Sequence, residues 1–171
     1  LGIDKNKPEK QQRNQTGSPI LEEGDILLNT TLAETSDWQQ VDLPVVSTLR
    51  HFCIETLSSY TEDNQACISE VDLLDDKGQP IDKTKWEVVY VSSEQADKNL
   101  GIAENLFDGD ISSFWHTDPA TEPGQPHRII VDIKEIYKIS ALRFKVRKGA
   151  FLSGKVKEIN VYGRPQFFLF H

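Results

Sequence analysis

Asp108, Asp110 and Ser113 bring side-chain oxygens together at close spacing, and Gly109 between the carboxylates permits a tight turn. Hard oxygens spaced this way suit calcium, which takes six to eight such ligands and accepts backbone carbonyls among them. From spacing alone, an ordinary Asp-Gly-Asp turn with its carboxylates in water is the better reading. A glycosidase carboxylate pair does not fit, because such pairs face each other across a cleft from separate elements. The four histidines, His51, His116, His127 and His171, have no metal-ligand spacing, and no Gly-x-Ser-x-Gly elbow is present. Cys53 and Cys67 are the only cysteines. They read as buried small hydrophobes more than as a bridge, with the bridge left open, and they make no metal-binding cluster.

The chain that must position these residues has 171 of them, enough for one domain with a proper core. Hydrophobic residues make up 37%, with 8 Phe, 4 Tyr and 3 Trp, which predicts a globular body. Lys plus Arg is 19 against 27 Asp plus Glu, a formal charge of −8. A negative surface without a basic run repels phosphate backbones, so nucleic acid is not an expected partner. No apolar stretch is long enough to cross a bilayer as a helix. The opening Leu1-Gly2-Ile3-Asp4-Lys5 lacks the pattern of a signal peptide, and the chain reads as a piece of something longer.

Residues 1–20 are polar and charged without an apolar period, and read as a linker or tail. Residues 21–165 read as a single β-sandwich module, and 166–171 as a C-terminal tail or edge strand. Within the module, stretches 25–30, 38–43, 49–56, 67–74, 86–91, 128–133, 139–147 and 156–162 are rich in Val, Ile and aromatics. Leu142, Phe144 and Val146 alternate with Arg143, Lys145 and Arg147, the pattern of a strand with one buried face. Turn residues such as Asp75-Asp76-Lys77-Gly78 and Pro44 separate the stretches. The fold class expected is all-β: an antiparallel sandwich of about eight strands, with Trp86, Val88, Ile130, Leu142 and Phe144 buried. The long connection 92–127 is where a functional loop belongs.

The stretch Ala103-Glu104-Asn105-Leu106-Phe107-Asp108-Gly109-Asp110-Ile111-Ser112-Ser113-Phe114-Trp115-His116-Thr117 resembles the signature loop of the discoidin-like, coagulation-factor type C domains. The likeness is greatest to carbohydrate-binding module family 32, of the galactose-binding-like fold. Three later stretches, 126–133, 139–147 and 155–163, resemble the family's next strands in order. Trp38–Pro44, Thr48–Ile54 and Ala66–Leu74 resemble the closing strands of such a domain, yet here they come first. That order means either a permuted sandwich or the end of one module followed by the start of the next; we read it as one permuted body.

The resemblance implies a structural calcium held by Asp108, Asp110, Ser113 and Glu158, with carbonyls near Asn105 and Lys157. It also implies that His116 and Arg147 hydrogen-bond a galactose-like sugar. Many relatives carry a second Trp three residues after the His, where this chain has Pro119. Phe151 is then the expected stacking surface and Phe114 a weaker one, with Trp38, Trp86 and Trp115 assigned to packing. The function implied is a non-catalytic carbohydrate-binding module tethered to a glycan-degrading catalytic domain, secreted, periplasmic or on the cell surface. No membrane partner is expected, since the long loop is acidic. A protein-interaction or spacer module is the alternative.

Overall fold

A computed structural model describes residues 9, 13, 15, 17–120, 124–147 and 153–171. Its strands are β1 (Pro19–Ile20), β2 (Ile26–Thr31), β3 (Gln39–Thr56), β4 (Cys67–Ile68), β5 (Glu70–Asp75), β6 (Glu87–Val91), β7 (Trp115–His116), β8 (His127–Lys145), β9 (Glu158–Arg164) and β10 (Leu169–Phe170). Among the described residues, helix is confined to short 3-10 turns, including Ala103–Phe107 in the signature loop. The all-β expectation holds.

One antiparallel sheet runs β2-β9-β3-β8-β5, and β6 also pairs with β8. β3 therefore lies between β8 and β9, so strands from both halves of the chain build the same sheet. β3 and β8 pair from Gln39↔Phe144 to Thr56↔His127, with register shifts between Asp42 and Ser47 and between Leu49 and His51. Such bulges let one strand bend and serve both leaves of a sandwich. β6 and β9 flank the His51–Thr56 end of this pair, whereas β5 flanks the Leu142–Lys145 end.

Two pairs of expected strands are thus single strands. Residues 38–43 and 49–56 merge into β3, and 128–133 and 139–147 into β8. Pro44, read as a loop marker, sits in the gap between two runs of the ladder, where its missing N–H costs no hydrogen bond. Lys134 adopts φ 74° in β8, held by its amide donating to Asp132 Oδ1 at 2.7 Å.

Trp86, Val88, Leu142 and Phe144 lie in the main core, with Phe52, Ile54, Ile129, Val131, Ile159 and Val161 facing the same interior. Ile130 is also buried, but on the other face of the sheet, with Cys53 and Phe168. Trp38 departs from its packing role: it stands at the surface with the Arg143 guanidinium over its ring at 4.9 Å. Within the first twenty residues, Arg13 pairs with Glu94 at 2.7 Å and with Glu104, and β1 pairs with β10. The described part of that stretch is therefore attached to the body.

Candidate functional site

The signature loop is tied down before it can present anything. Asn105, read as a site of carbonyl ligation, is buried, and its side-chain amide donates to the carbonyls of Asn99 and Phe114 at 3.1 and 3.0 Å. Trp115 is wholly buried, and its Nε1 donates to the Ser93 carbonyl at 3.0 Å. β7 then pairs with β4, Cys67 opposite His116 and Ile68 opposite Trp115.

The turn before β7 directs several oxygens toward one another, with Asp108 and Asp110 exposed at the surface. Asp108 Oδ1 accepts from the Asp110 amide at 2.9 Å, and Oδ2 accepts from the Ser113 hydroxyl. The same hydroxyl lies 3.0 Å from the Asp110 carbonyl, so oxygens of Asp108, Asp110 and Ser113 converge. Gly109 adopts φ 79°, a conformation that strains residues with a Cβ. Its amide donates to Glu70 Oε2 at 3.1 Å.

Glu70, at the start of β5, is therefore the distant carboxylate that meets this loop, and Glu158 is not. The Glu158 amide donates to Ser58 Oγ at 3.2 Å, and its carbonyl accepts from Leu57. Lys157 makes its contacts with Leu32, Ser58 and Tyr60. The reason is topological: β9 pairs with β2 and β3, whereas the loop rests on β5. Glu158 and Lys157 are accordingly withdrawn from the cation site.

The Glu70 side chain is about 1% exposed, and its Oε1 has no hydrogen-bond partner among the described residues. Burial pushes its carboxyl up to about 7 against the opposing pull of Lys83 and the Gly109 amide. An orphaned buried carboxylate oxygen beside converging oxygens is a fit for a hard cation. No group of three His, Cys, Asp or Glu is arranged to hold a metal among the described residues. The candidate set instead mixes carboxylates, a hydroxyl and a carbonyl.

His116 and Arg147 do come together. The Arg147 guanidinium lies over the Phe114 ring at 4.1 Å, and that ring meets His116 edge-on at 6.3 Å. Phe114 is buried beneath Arg147, so it supports the arginine and is no open stacking platform. Phe151 lies outside the described residues.

His116 is only 3% exposed, against the expectation of a side chain open to solvent. Its Nδ1 is 2.5 Å from the Thr117 carbonyl, an acceptor only, which assigns the proton to Nδ1. Nε2 then accepts from the Ser153 hydroxyl at 2.7 Å. Burial holds its pKa below the usual imidazole value, so the ring is neutral at neutral pH. Ser153, on the chain after Arg147, is a residue that sequence reasoning missed; nothing in its local pattern marks it.

Residues 88–166 match the family model of the F5/8 type C domain. That stretch is similar to the F5/8 type C family. A sialidase from Micromonospora viridifaciens is 33% identical to the chain over 84 residues, which is 48% of this chain and 13% of the sialidase. The F5/8 type C match takes in the signature loop, His116, Arg147 and Ser153. It begins after Glu70 and Lys83, so the loop is completed by residues outside it. Opposite His116 and outside the matched stretch, Cys67 is buried and free, its thiol pushed up to about 12 by burial despite Arg147 nearby. Cys53 is also buried and free, and shifted upward for the same reason. Both behave as packed hydrophobes rather than as nucleophiles.

Proposed function

We propose that the chain is a non-catalytic carbohydrate-binding module that takes a galactose-like sugar at the His116–Arg147 cluster. The observation that carries this reading is the convergence of a neutral His116 and an Arg147 on Phe114, inside the stretch matched to the F5/8 type C family. Arg147 is half-buried and offers a rigid fork of donors, and stacking on Phe114 fixes its plane. Neutral His116 has one acceptor nitrogen, now filled by the Ser153 hydroxyl. A sugar hydroxyl is the same chemical group as the serine's and replaces it on Nε2 without loss of a hydrogen bond. Binding therefore requires the segment carrying Ser153 to give way.

A structural calcium belongs to the same reading. Asp108, Ser113, Glu70 and the Asp110 carbonyl would hold it, and it would supply fixed positive charge that pins the loop leading to Trp115 and His116. The sialidase similarity supports a place beside a glycan-degrading catalytic domain; a secreted, periplasmic or cell-surface setting is part of the proposal. A spacer module with no working sugar site is the second reading, and the burial of His116 favours it.

A glycan array followed by calorimetry tests the two. A net hydrogen bond contributes about 0.5–1.5 kcal/mol, so a few in a shallow site give roughly millimolar affinity. Tethering to an enzyme makes such affinity useful through effective concentration. Arg147→Ala should weaken binding at least about tenfold, as loss of a charge-assisted hydrogen bond implies. Ser153→Ala should bind as well as the parent or better, because it removes the competing hydroxyl. No binding of any galactose-terminated glycan by the parent at millimolar concentration makes the module a spacer.

A further inference from the structure

Glu70 divides its two oxygens in an unusual way. Oε2 faces the Lys83 ammonium as well as the Gly109 amide, while Oε1 is buried without a partner among the described residues. Lys83 also reaches the Val71 carbonyl at 3.1 Å and Asp72 Oδ1 at 2.5 Å. An ammonium has three donors, and here three oxygen acceptors surround it. Lys83 is mostly covered, and its side chain is about 17% exposed. It lines an open pocket of about 400 Å³ with Thr84, Glu104, Phe107, Asp108 and Gly109, so solvent reaches the place where β5 and the loop meet.

We infer that Lys83 is an internal counter-cation that keeps the Asp108–Ser113 loop seated on Glu70 when no metal is bound. The inference rests on reading that loop as a cation site, and it concerns what holds the site together without the ion. A buried carboxylate left without a positive charge is strongly unfavourable, and Lys83 supplies that charge from within the chain. The ammonium and a divalent cation then address opposite oxygens of one carboxylate. Each weakens the other's hold, because like charges a few ångströms apart repel even at high effective dielectric. The loop consequently has a low requirement for calcium, and Lys83 sets it.

The test is a set of melts in chelator and in calcium on the parent, Lys83→Met, Lys83→Arg and the Lys83→Met/Glu70→Gln pair. In chelator, Lys83→Met should melt roughly 10 °C below the parent, the scale for breaking a buried ion pair. Lys83→Arg should recover most of that loss, since charge and donors return. The double variant should be no worse than Lys83→Met alone, because the orphaned charge is gone. Hydrogen exchange at the Gly109 amide should accelerate in Lys83→Met, a local change that general destabilisation does not produce selectively. Calcium should restore Lys83→Met and bind it at least about tenfold more tightly than the parent. A Lys83→Met protein that matches the parent in chelator, in melting temperature and in Gly109 exchange, overturns the inference. Failure of calcium to bind the parent or Lys83→Met, with the chelator loss intact, removes the calcium reading and leaves Lys83 as the sole counter-charge.

Discussion

Trp115→Ala should cost about 3–5 kcal/mol of folding stability, the range for truncating a large buried aromatic. Trp115 is wholly buried in the main core and pairs through β7 with Ile68 on β4. It also closes a hydrogen bond from Nε1 to the Ser93 carbonyl, at the start of the long connection. Removing the indole leaves a cavity and an unsatisfied carbonyl in one step, and these penalties add. For a chain of this length, such a loss lowers the melting temperature by roughly 6–20 °C. Trp115→Phe keeps most of the volume and forfeits mainly the hydrogen bond, so its loss should be clearly smaller. Chemical denaturation of the three proteins measures this. Equal stability of Trp115→Ala and the parent would show that the indole is not part of the core. The same residue separates Phe114 from His116 along the chain, so the alanine variant should also lose the sugar site.

Sequence periodicity carried the strands because alternation reports burial directly: Leu142 and Phe144 face the core, and Arg143 between them faces Trp38. It did not carry their continuity. A bulge such as the one between Asp42 and Ser47 breaks alternation just as a loop does, while the chain stays within the sheet. The signature loop was legible because Gly109, the Asp pair and Trp115 sit close together in the chain. Its partner was not.

Glu70 and Glu158 each lie in a strand of similar alternation, and local pattern cannot say which strand passes beneath a loop far away in the chain. The permuted order held the missing signal. If Ala66–Leu74 stands for a closing strand, then the carboxylate of that strand is Glu70. Likewise, nothing local to His116 foretold its burial, because the group that closes over Nε2 is Ser153, 37 residues away.

In a Glu70→Gln background, which removes the buried carboxyl pushed up to about 7 and its opposing pH dependence, acidification should destabilise this protein from about pH 6.5 downward. His51, His116 and His127 are all buried, and each is held below the ordinary imidazole value, chiefly by burial. The unfolded chain takes up protons on these rings near their normal pKa of roughly 6.5, while the folded chain resists. Stability is therefore fully present above that pH and falls as pH drops toward the depressed folded values.

The local structure shows why each ring resists a proton. His127 Nε2 donates to the Asn64 carbonyl at 2.6 Å, and its Nδ1 is buried without a partner among the described residues. His51 has Asp132 at 3.6 Å to welcome a charge, but Arg50 already holds that carboxylate at 2.9 and 3.1 Å and opposes a second cation. For His116, a proton on Nε2 would stand beside the Arg147 charge. Sugar binding should weaken over the same interval, because protonated His116 loses the acceptor that a sugar hydroxyl needs. Melting temperatures and galactose titrations from pH 8 to 5 read both effects, with His127→Gln as the control that flattens part of the stability curve and leaves binding alone. With Glu70 replaced by Gln, a melting temperature that stays level from pH 7.5 to 5.5 would mean that these histidines are free to protonate in the folded protein, and both the burial argument and the neutral His116 acceptor would go with it.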